Sequence, residues 1–366
     1  MFITDKEQLK KYYTKRRLWQ GIPGIEVTKN GRIFSTFYSG GTKEEHGNFV
    51  VLTVSYDDGK SFSEPIAAVY KQEGRSYDPV LWIDPQGRLW FTWGYASLVD
   101  KRGVYGVICE NPDADNLVWS DVFFIGKYVM MNKPTVLSTG EWLFPIAVWN
   151  PEIRMPCLPP KEEETEETGA FVYLVEDKEI PTFKKLGGVI AERRSFDEQM
   201  ILELNDGTLM MLIRTVYGIA VSYSYDKGNT WLAAVDSKLG GPCSRFFIKR
   251  LPSGRILLIN HYNFTGRNNL TALLSDDDGK TFKYSLLLDE RDNSSYPDAT
   301  ITSDGQIYIT YDRERGAFKE SYQEIMSSAR EILLAKITEE DIIAGKLVDS
   351  GSYLKRIISK FMQEIV

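Results

Sequence analysis

The chain has 366 residues, 43% hydrophobic, 26% charged and 13% aromatic, with a formal charge of -7. That is enough apolar residue to bury a large core, and the negative balance argues against nucleic acid or an anionic membrane as partner. No run approaches the roughly 18 apolar residues of a membrane-spanning helix, and "MFITDKEQLKKYYTKRRLWQ" lacks the apolar core of a secretory signal, so a cytoplasmic location is expected. Cys109, Cys157 and Cys243 make no disulfide framework and share no metal-ligand spacing with the two histidines, so neither a metal nor another cofactor is expected.

In chain order, six segments repeat one pattern: an apolar strand, a turn with glycine, then a second apolar strand. They read "IPGIEVTKNGRIFSTFY", "YDPVLWIDPQGRLWFTWG", "NKPTVLSTGEWLFPIAV", "DEQMILELNDGTLMMLIRT", "SRFFIKRLPSGRILLINH" and "YPDATITSDGQIYITYD". Their turn glycines are Gly31, Gly87, Gly140, Gly207, Gly254 and Gly305, spaced by 47 to 67 residues. Six units of about four strands each predict an all-β, six-bladed β-propeller.

After three of these hairpins comes a second turn: "SYDDGKSF" (55–62), "SYDKGNTW" (224–231) and "SDDDGKTF" (275–282). A short carboxylate two residues after serine can accept backbone N–H groups, and glycine two residues later admits φ > 0. The turn reads as the outer hairpin of a blade; a calcium or sugar site is the lesser alternative. "ENPDADNLVW" (110–119) and "VEDKEIPTF" (175–183) occupy degenerate copies. "PPKEEETEETG" (159–169) is a charged insertion in the third unit. Toward the C-terminus, "EEDIIAGKL" and "YLKRIISKFMQEIV" have helical spacing. The predicted domains are a propeller over 1–345 and a packed helix over 346–366.

The starts of six inner strands converge on the axis of a propeller. This brings Gly21, Pro23, Asp78, Lys133, Asp197, Glu198, Ser244, Arg245, Tyr296 and Asp298 together, with Arg214 ending the second strand of the fourth unit. Two readings stay open: a polar site in the mouth, or ion pairs bracing the channel.

The three outer turns resemble the Asp-box, S-x-D-x-G-x-T-W, of the sialidase superfamily of BNR-repeat proteins. "EQMILELNDGTLMMLIR" resembles the sialidase segment in which a glutamate precedes an arginine-ended strand. The resemblance puts Glu198 on the residue that polarises the nucleophile and Arg214 on a carboxylate-binding arginine. "YPDATITSDGQIYITYD" resembles the segment of the nucleophilic tyrosine and puts Tyr296 there. "EEHGNFVVLTVSYDDG" is loosely similar to the acid/base segment, with Glu45 beside His46 in place of aspartate. Gly21, in "QGIPGI", stands where the family has an arginine.

The function this implies is a retaining glycosidase acting on a glycoside or oligosaccharide with an acidic sugar. Tyr296 would attack, Glu198 would take its proton, and Glu45 or Asp78 would protonate the leaving oxygen. Arg214, Arg245 and Lys133 would orient the carboxylate, with Asp298 in the same mouth. A second hypothesis is a uronate-processing lyase or rhamnosidase-type propeller using His261 or His46 with tyrosine, and Arg267 to steady an enolate. A third is a carbohydrate-binding propeller without catalysis.

Overall fold

The computed structural model describes residues 2–41, 43–97, 102–149, 167–315 and 330–360. Six antiparallel sheets form a six-bladed β-propeller, each sheet built from strands in sequence order outward from the axis. Blade 1 holds Trp19–Val27, Ile33–Gly40, Phe49–Ser55 and Ala67–Val69, with Phe2–Ile3 added at its outer edge. Blade 2 holds Gly74–Ile83, Leu89–Ser97, Gly103–Cys109 and Phe123–Gly126; blade 3 holds Thr135–Val136, Trp142–Val148, Gly169–Asp177 and Thr182–Val189. Blade 4 holds Arg194–Glu203, Leu209–Thr215, Gly218–Ser224 and Val235–Asp236; blade 5 holds Phe247–Arg250, Ile256–His261, Leu270–Ser275 and Tyr284–Asp289. Blade 6 holds Ser294–Ile301, Ile307–Arg313, Glu331–Ile337 and Tyr353–Ser359.

The sequence pattern follows from this packing. Each blade is pressed between two others, so its second strand is covered on both faces. "LMMLIRT" and "WLFPIAV" are accordingly apolar almost throughout and buried at every position. Each buried Leu, Ile or Phe contributes roughly 1.5–3 kcal/mol against exposure. The short outer strand Val235–Asp236 is exposed. Trp82, Trp90 and Trp142 pack edge-on and tilted between blades 2 and 3, as core residues.

The six hairpin glycines lie where expected, with φ between 82° and 94°, and each ends the axis-proximal hairpin. The serine–aspartate turns join third to outer strands in blades 1, 4 and 5. In the last of them Ser275 Oγ accepts from Gly279 N at 2.9 Å and donates to Asp277 Oδ1 at 2.7 Å. Asp277 also accepts from Thr281 N at 2.8 Å and Thr281 Oγ1 at 2.6 Å. The other two turns repeat this pattern around Asp57 and Asp226. The carboxylates accept hydrogen bonds from their own turns, as the structural reading expects.

The C-terminal expectation is half corrected. Glu339–Ala344 is a helix, with a Thr338/Asp341 capping box and Gly345 in the left-handed region at its end, and it replaces the outer turn of blade 6. The helix expected over 346–366 is not formed in the described residues. Tyr353–Ser359 is a strand on Glu331–Ile337, with Leu333 opposite Ile357. Seven residues of mixed apolar and basic character fit either period, and the open edge of blade 6 decides the outcome. Residues 361–366 and most of the charged insertion (159–166) lie outside the described residues.

The ring closes between blades 6 and 1 through side chains. Asp312 accepts from Ile22 N at 2.8 Å, and Asp298 accepts from Ile25 N at 2.9 Å. Gln20 donates to Arg330 O at 2.7 Å and Ser359 O at 3.1 Å. Farther out, Asp58 accepts from Tyr308 and Lys336.

Candidate active site

Four inner strands carry the same irregularity near one end of the axis, hereafter the mouth. In blade 1, Gly21 pairs with Tyr38 and Gly24 with Thr36, so Ile22 and Pro23 oppose a single residue. The same bulge places Asp78 and Pro79 in blade 2, Glu198 and Gln199 in blade 4, and Tyr296 and Pro297 in blade 6. The first residue of each pair has positive φ: 55° at Ile22, 46° at Asp78, 44° at Glu198 and 56° at Tyr296. A left-handed non-glycine residue costs on the order of 1 kcal/mol or more, so packing must hold each one in place. A bulge re-aims the side chain it carries. Proline follows three of them, at a position where the ladder has no N–H to lose.

Three re-aimed or neighbouring side chains meet. Tyr296 OH donates to Glu198 Oε1 at 3.0 Å and accepts from Arg214 Nη1 at 2.8 Å. Arg214 Nη1 also reaches Glu198 Oε1 at 2.6 Å. All three are at least 95% buried, and Glu198 Oε2 has no hydrogen-bond partner. Burial raises the Tyr296 phenol above its ordinary pKa, against the lowering pull of Arg214, Arg315 and Arg267. The resting group is thus a phenol with a carboxylate ready to take its proton. Arg214 stays firmly cationic: burial opposes its charge, but Glu198 and Tyr296 outweigh it.

Three guanidiniums face the Tyr296 ring, those of Arg315 at 4.2 Å, Arg267 at 5.4 Å and Arg214 at 6.0 Å from its centroid. Arg214 and Arg267 both donate to the Cys243 carbonyl, at 3.0 and 2.9 Å. Phe196 lies under Arg214 at 4.9 Å and packs edge-on against Trp149.

Asp78 is fully enclosed, with Oδ2 unpartnered. Burial pushes its pKa up to about 8, with Glu44 and Glu198 adding to the rise and Arg75 and Arg315 opposing it. It is therefore a protonated acid at neutral pH, close enough to feel Glu198.

Other expected residues fall elsewhere. In the loop expected to carry the acid/base residue, it is Glu44, next to Glu45, that reaches the cluster, 3.0 Å from Arg75 Nη2 and 3.6 Å from Arg315 Nε. Those two arginines hold the Glu44 carboxyl low against the opposing effect of burial. Glu45 reaches back toward Gly41 within its own loop, and His46 is exposed.

Lys133, Arg245 and Asp298 converge as expected but form a brace below the mouth. Lys133 Nζ donates to Ile25 O, Glu26 Oε1 and Leu81 O at 2.6–2.7 Å and lies 3.2 Å from Asp298. Lys133 also lines a cavity of about 340 Å³ with Trp82, Met200 and Phe247. Arg245 donates to Asn132 Oδ1 at 2.7 Å and Pro23 O at 3.3 Å, and lies 3.5 Å from Asp298. Asn132 in turn donates to the carbonyls of Glu198 and Gln199, supporting their bulge from beneath. Asp197 is tied up by Arg194.

His261 is buried at the mouth end of blade 5. Its Nδ1 lies 2.8 Å from Asn268 O, Nε2 is unpartnered, and burial lowers its pKa to about 4. Among the described residues no hydrogen bond joins it to Tyr296. Arg267 is half-buried and belongs to the Tyr296 cluster instead.

Glu44, Arg75 and Arg315 escaped the sequence reading, as did the left-handed bulges. The recurring dipeptides "IP", "DP" and "YP" near the inner-strand starts were the available signal for the bulges.

Residues 31–309 match the model of the BNR repeat-like domain. No functionally curated protein matches the chain. Among solved structures, the leech intramolecular trans-sialidase superposes with a TM-score of 0.64 at 13% identity, covering 89% of this chain and 69% of that one. The NanB sialidase of Streptococcus pneumoniae gives 0.61 at 13% identity over 82% of this chain and 66% of that one. The α-L-arabinanase of Penicillium chrysogenum gives 0.56 at 13% identity, over 90% and 96%. At these identities the similarity is one of fold.

Proposed function

The chain belongs to the BNR repeat-like domain family, and from that premise we propose that it is a sialidase-like glycoside hydrolase acting on a glycoside with an acidic sugar. The observation that carries the reading is the buried Tyr296–Glu198–Arg214 cluster, drawn from blades 4 and 6.

The Tyr296 oxygen attacks the anomeric carbon while Glu198 takes the phenol proton. A tyrosine suits an anionic sugar, because a neutral nucleophile is not repelled by the substrate's charge. Asp78, protonated at neutral pH, delivers its proton to the leaving oxygen. Water then enters, Asp78 takes a proton from it, and Tyr296 leaves with the proton held by Glu198, so that configuration is retained. Arg214 and Arg267, aligned by the Cys243 carbonyl, hold the sugar carboxylate.

The test is cleavage of a panel of glycosides of sialic and uronic acids, with an arabinan as the neutral control. Tyr296→Phe is expected to lower kcat roughly 10³-fold or more while the fold is kept. Undiminished turnover in that variant would remove Tyr296 as nucleophile. Turnover of arabinan alone would remove the acidic substrate, and an ultraviolet-absorbing unsaturated product would replace hydrolysis by elimination.

A further inference from the structure

Gly21 precedes the blade 1 bulge, and no positive φ explains its glycine. Space does. A Cβ at position 21 would lie 2.0 Å from Arg315 Cδ, 2.5 Å from Arg315 Cγ and 3.1 Å from Asp312 Oδ2. The stem of an arginine from blade 6 occupies the volume that any side chain at 21 would need.

We propose that Arg315 is a specificity-determining residue, supplying from blade 6 the anion-holding cation that blade 1 lacks, and that Gly21 is glycine to admit it. This rests on the reading of the mouth as an acidic-sugar site. Arg315 is 6% exposed, and its guanidinium is the nearest of the three on the Tyr296 ring. Asp312 positions it, accepting from Arg315 Nη1 at 3.2 Å, from Ile22 N at 2.8 Å and from Ser295 Oγ at 2.7 Å. One carboxylate thus fixes the arginine to the bulge of blade 1 and to the residue before Tyr296. Glu44 lies 3.6 Å from Arg315 Nε, yet that buried nitrogen has no hydrogen-bond partner. A cationic donor left unspent inside a site costs free energy unless something else accepts from it. A carboxylate lying against the Tyr296 face meets Arg214, Arg267 and Arg315 together, and a neutral sugar brings no charge to any of them.

The proposal is tested by isothermal titration with N-acetylneuraminic acid and D-glucuronic acid, each against its methyl ester. The wild type is expected to prefer an acid to its ester. Arg315→Met should lose roughly 10- to 100-fold in affinity for the acid, the value of one charge-assisted contact, and leave the ester unchanged. Gly21→Ala should do the same by evicting Arg315, though it removes no charge. If Gly21→Ala fails to fold, the double variant Gly21→Ala/Arg315→Ala has room and should fold with the Arg315→Met phenotype. The exchange Gly21→Arg/Arg315→Gly should recover acid binding to within a few-fold of wild type. Acid affinity that survives Arg315→Met, or acid and ester falling together, would overturn the proposal and leave the rest of the site standing. A wild type that binds neither acid overturns the acidic-sugar reading, and the proposal with it.

Discussion

The mouth and the brace beneath it are built from the same kinds of residue, buried to the same degree, and they differ in how completely their charges are used. In the brace, Lys133 is surrounded by the oxygens of Ile25, Glu26, Leu81 and Asp298. Asp298 answers Lys133, Arg245 and the backbone of Ile25. In the mouth, Asp78 Oδ2, Glu198 Oε2, Arg75 Nε and Nη1, and Arg315 Nε are all buried without a hydrogen-bond partner. Burial and residue type therefore do not distinguish the two regions; completeness of hydrogen bonding does. A satisfied network stiffens a fold, and each unsatisfied group in a buried cluster calls for an explanation.

The comparison can be broken by paired substitutions. Glu198→Gln should lower cleavage by about 10²- to 10⁴-fold, the range of general base catalysis, and should also lower the melting temperature, because it takes the counter-ion from buried Arg214. Lys133→Met should cost stability alone. It leaves Glu26 buried without its ion-pair partner and Asp298 with Arg245 alone, at a cost of about 3–5 kcal/mol by thermal or urea unfolding, with kcat of the folded fraction nearly intact. If Lys133→Met lost activity at unchanged stability, the division between brace and mouth would be wrong.

Asp78 sharpens the comparison through pH. Its folded pKa of about 8 lies above the ordinary value of 3.8. The stability it contributes is complete below the unfolded value and is lost as pH rises through about 8. Asp78→Asn should therefore gain stability over wild type as pH climbs from 4 to 9, while losing activity at every pH. The wild-type rate should decline above about pH 8, when the acid is no longer protonated. A rate profile still rising at pH 9 would assign the proton to another group. The smallest effect is expected far from the axis. Asp277→Ala loosens one outer turn, so its melting temperature should fall less than that of Lys133→Met, and sugar binding should not change.

How much of this was legible in sequence tracks the distance over which each feature is determined. The hairpin glycines and serine–aspartate turns are fixed by a few adjacent residues, and they named the six blades. Tyr296, Glu198 and Arg214 were found because a motif carries each of them, and the structure brings the three within hydrogen-bonding distance. Convergence of Lys133, Arg245 and Asp298 was readable from blade geometry, but their depth along the axis was not, since it depends on which carbonyls lie beside them. Glu44, next to Glu45, was missed because a loop, not a strand, presents it. Arg315 was invisible: its role depends on blade 6 meeting blade 1, the longest sequence separation in the ring. The terminal strand was mistaken for a helix because seven residues cannot state their period without a neighbour.

Blade 1 takes its extra strand, Phe2–Ile3, onto its own outer edge, and among the described residues no strand is shared with blade 6. Every other pair of adjacent blades is also tied by the polypeptide itself; this pair is a clasp, held by Asp312, Asp298, Gln20 and Asp58. The jaws of that clasp, Ile22 on one side and Asp312 with Arg315 on the other, border the phenol. Whatever fills the mouth consequently acts as a rivet. Occupancy at a hundred times Kd adds about 2.7 kcal/mol of resistance to unfolding, applied at the single join that no peptide bond spans.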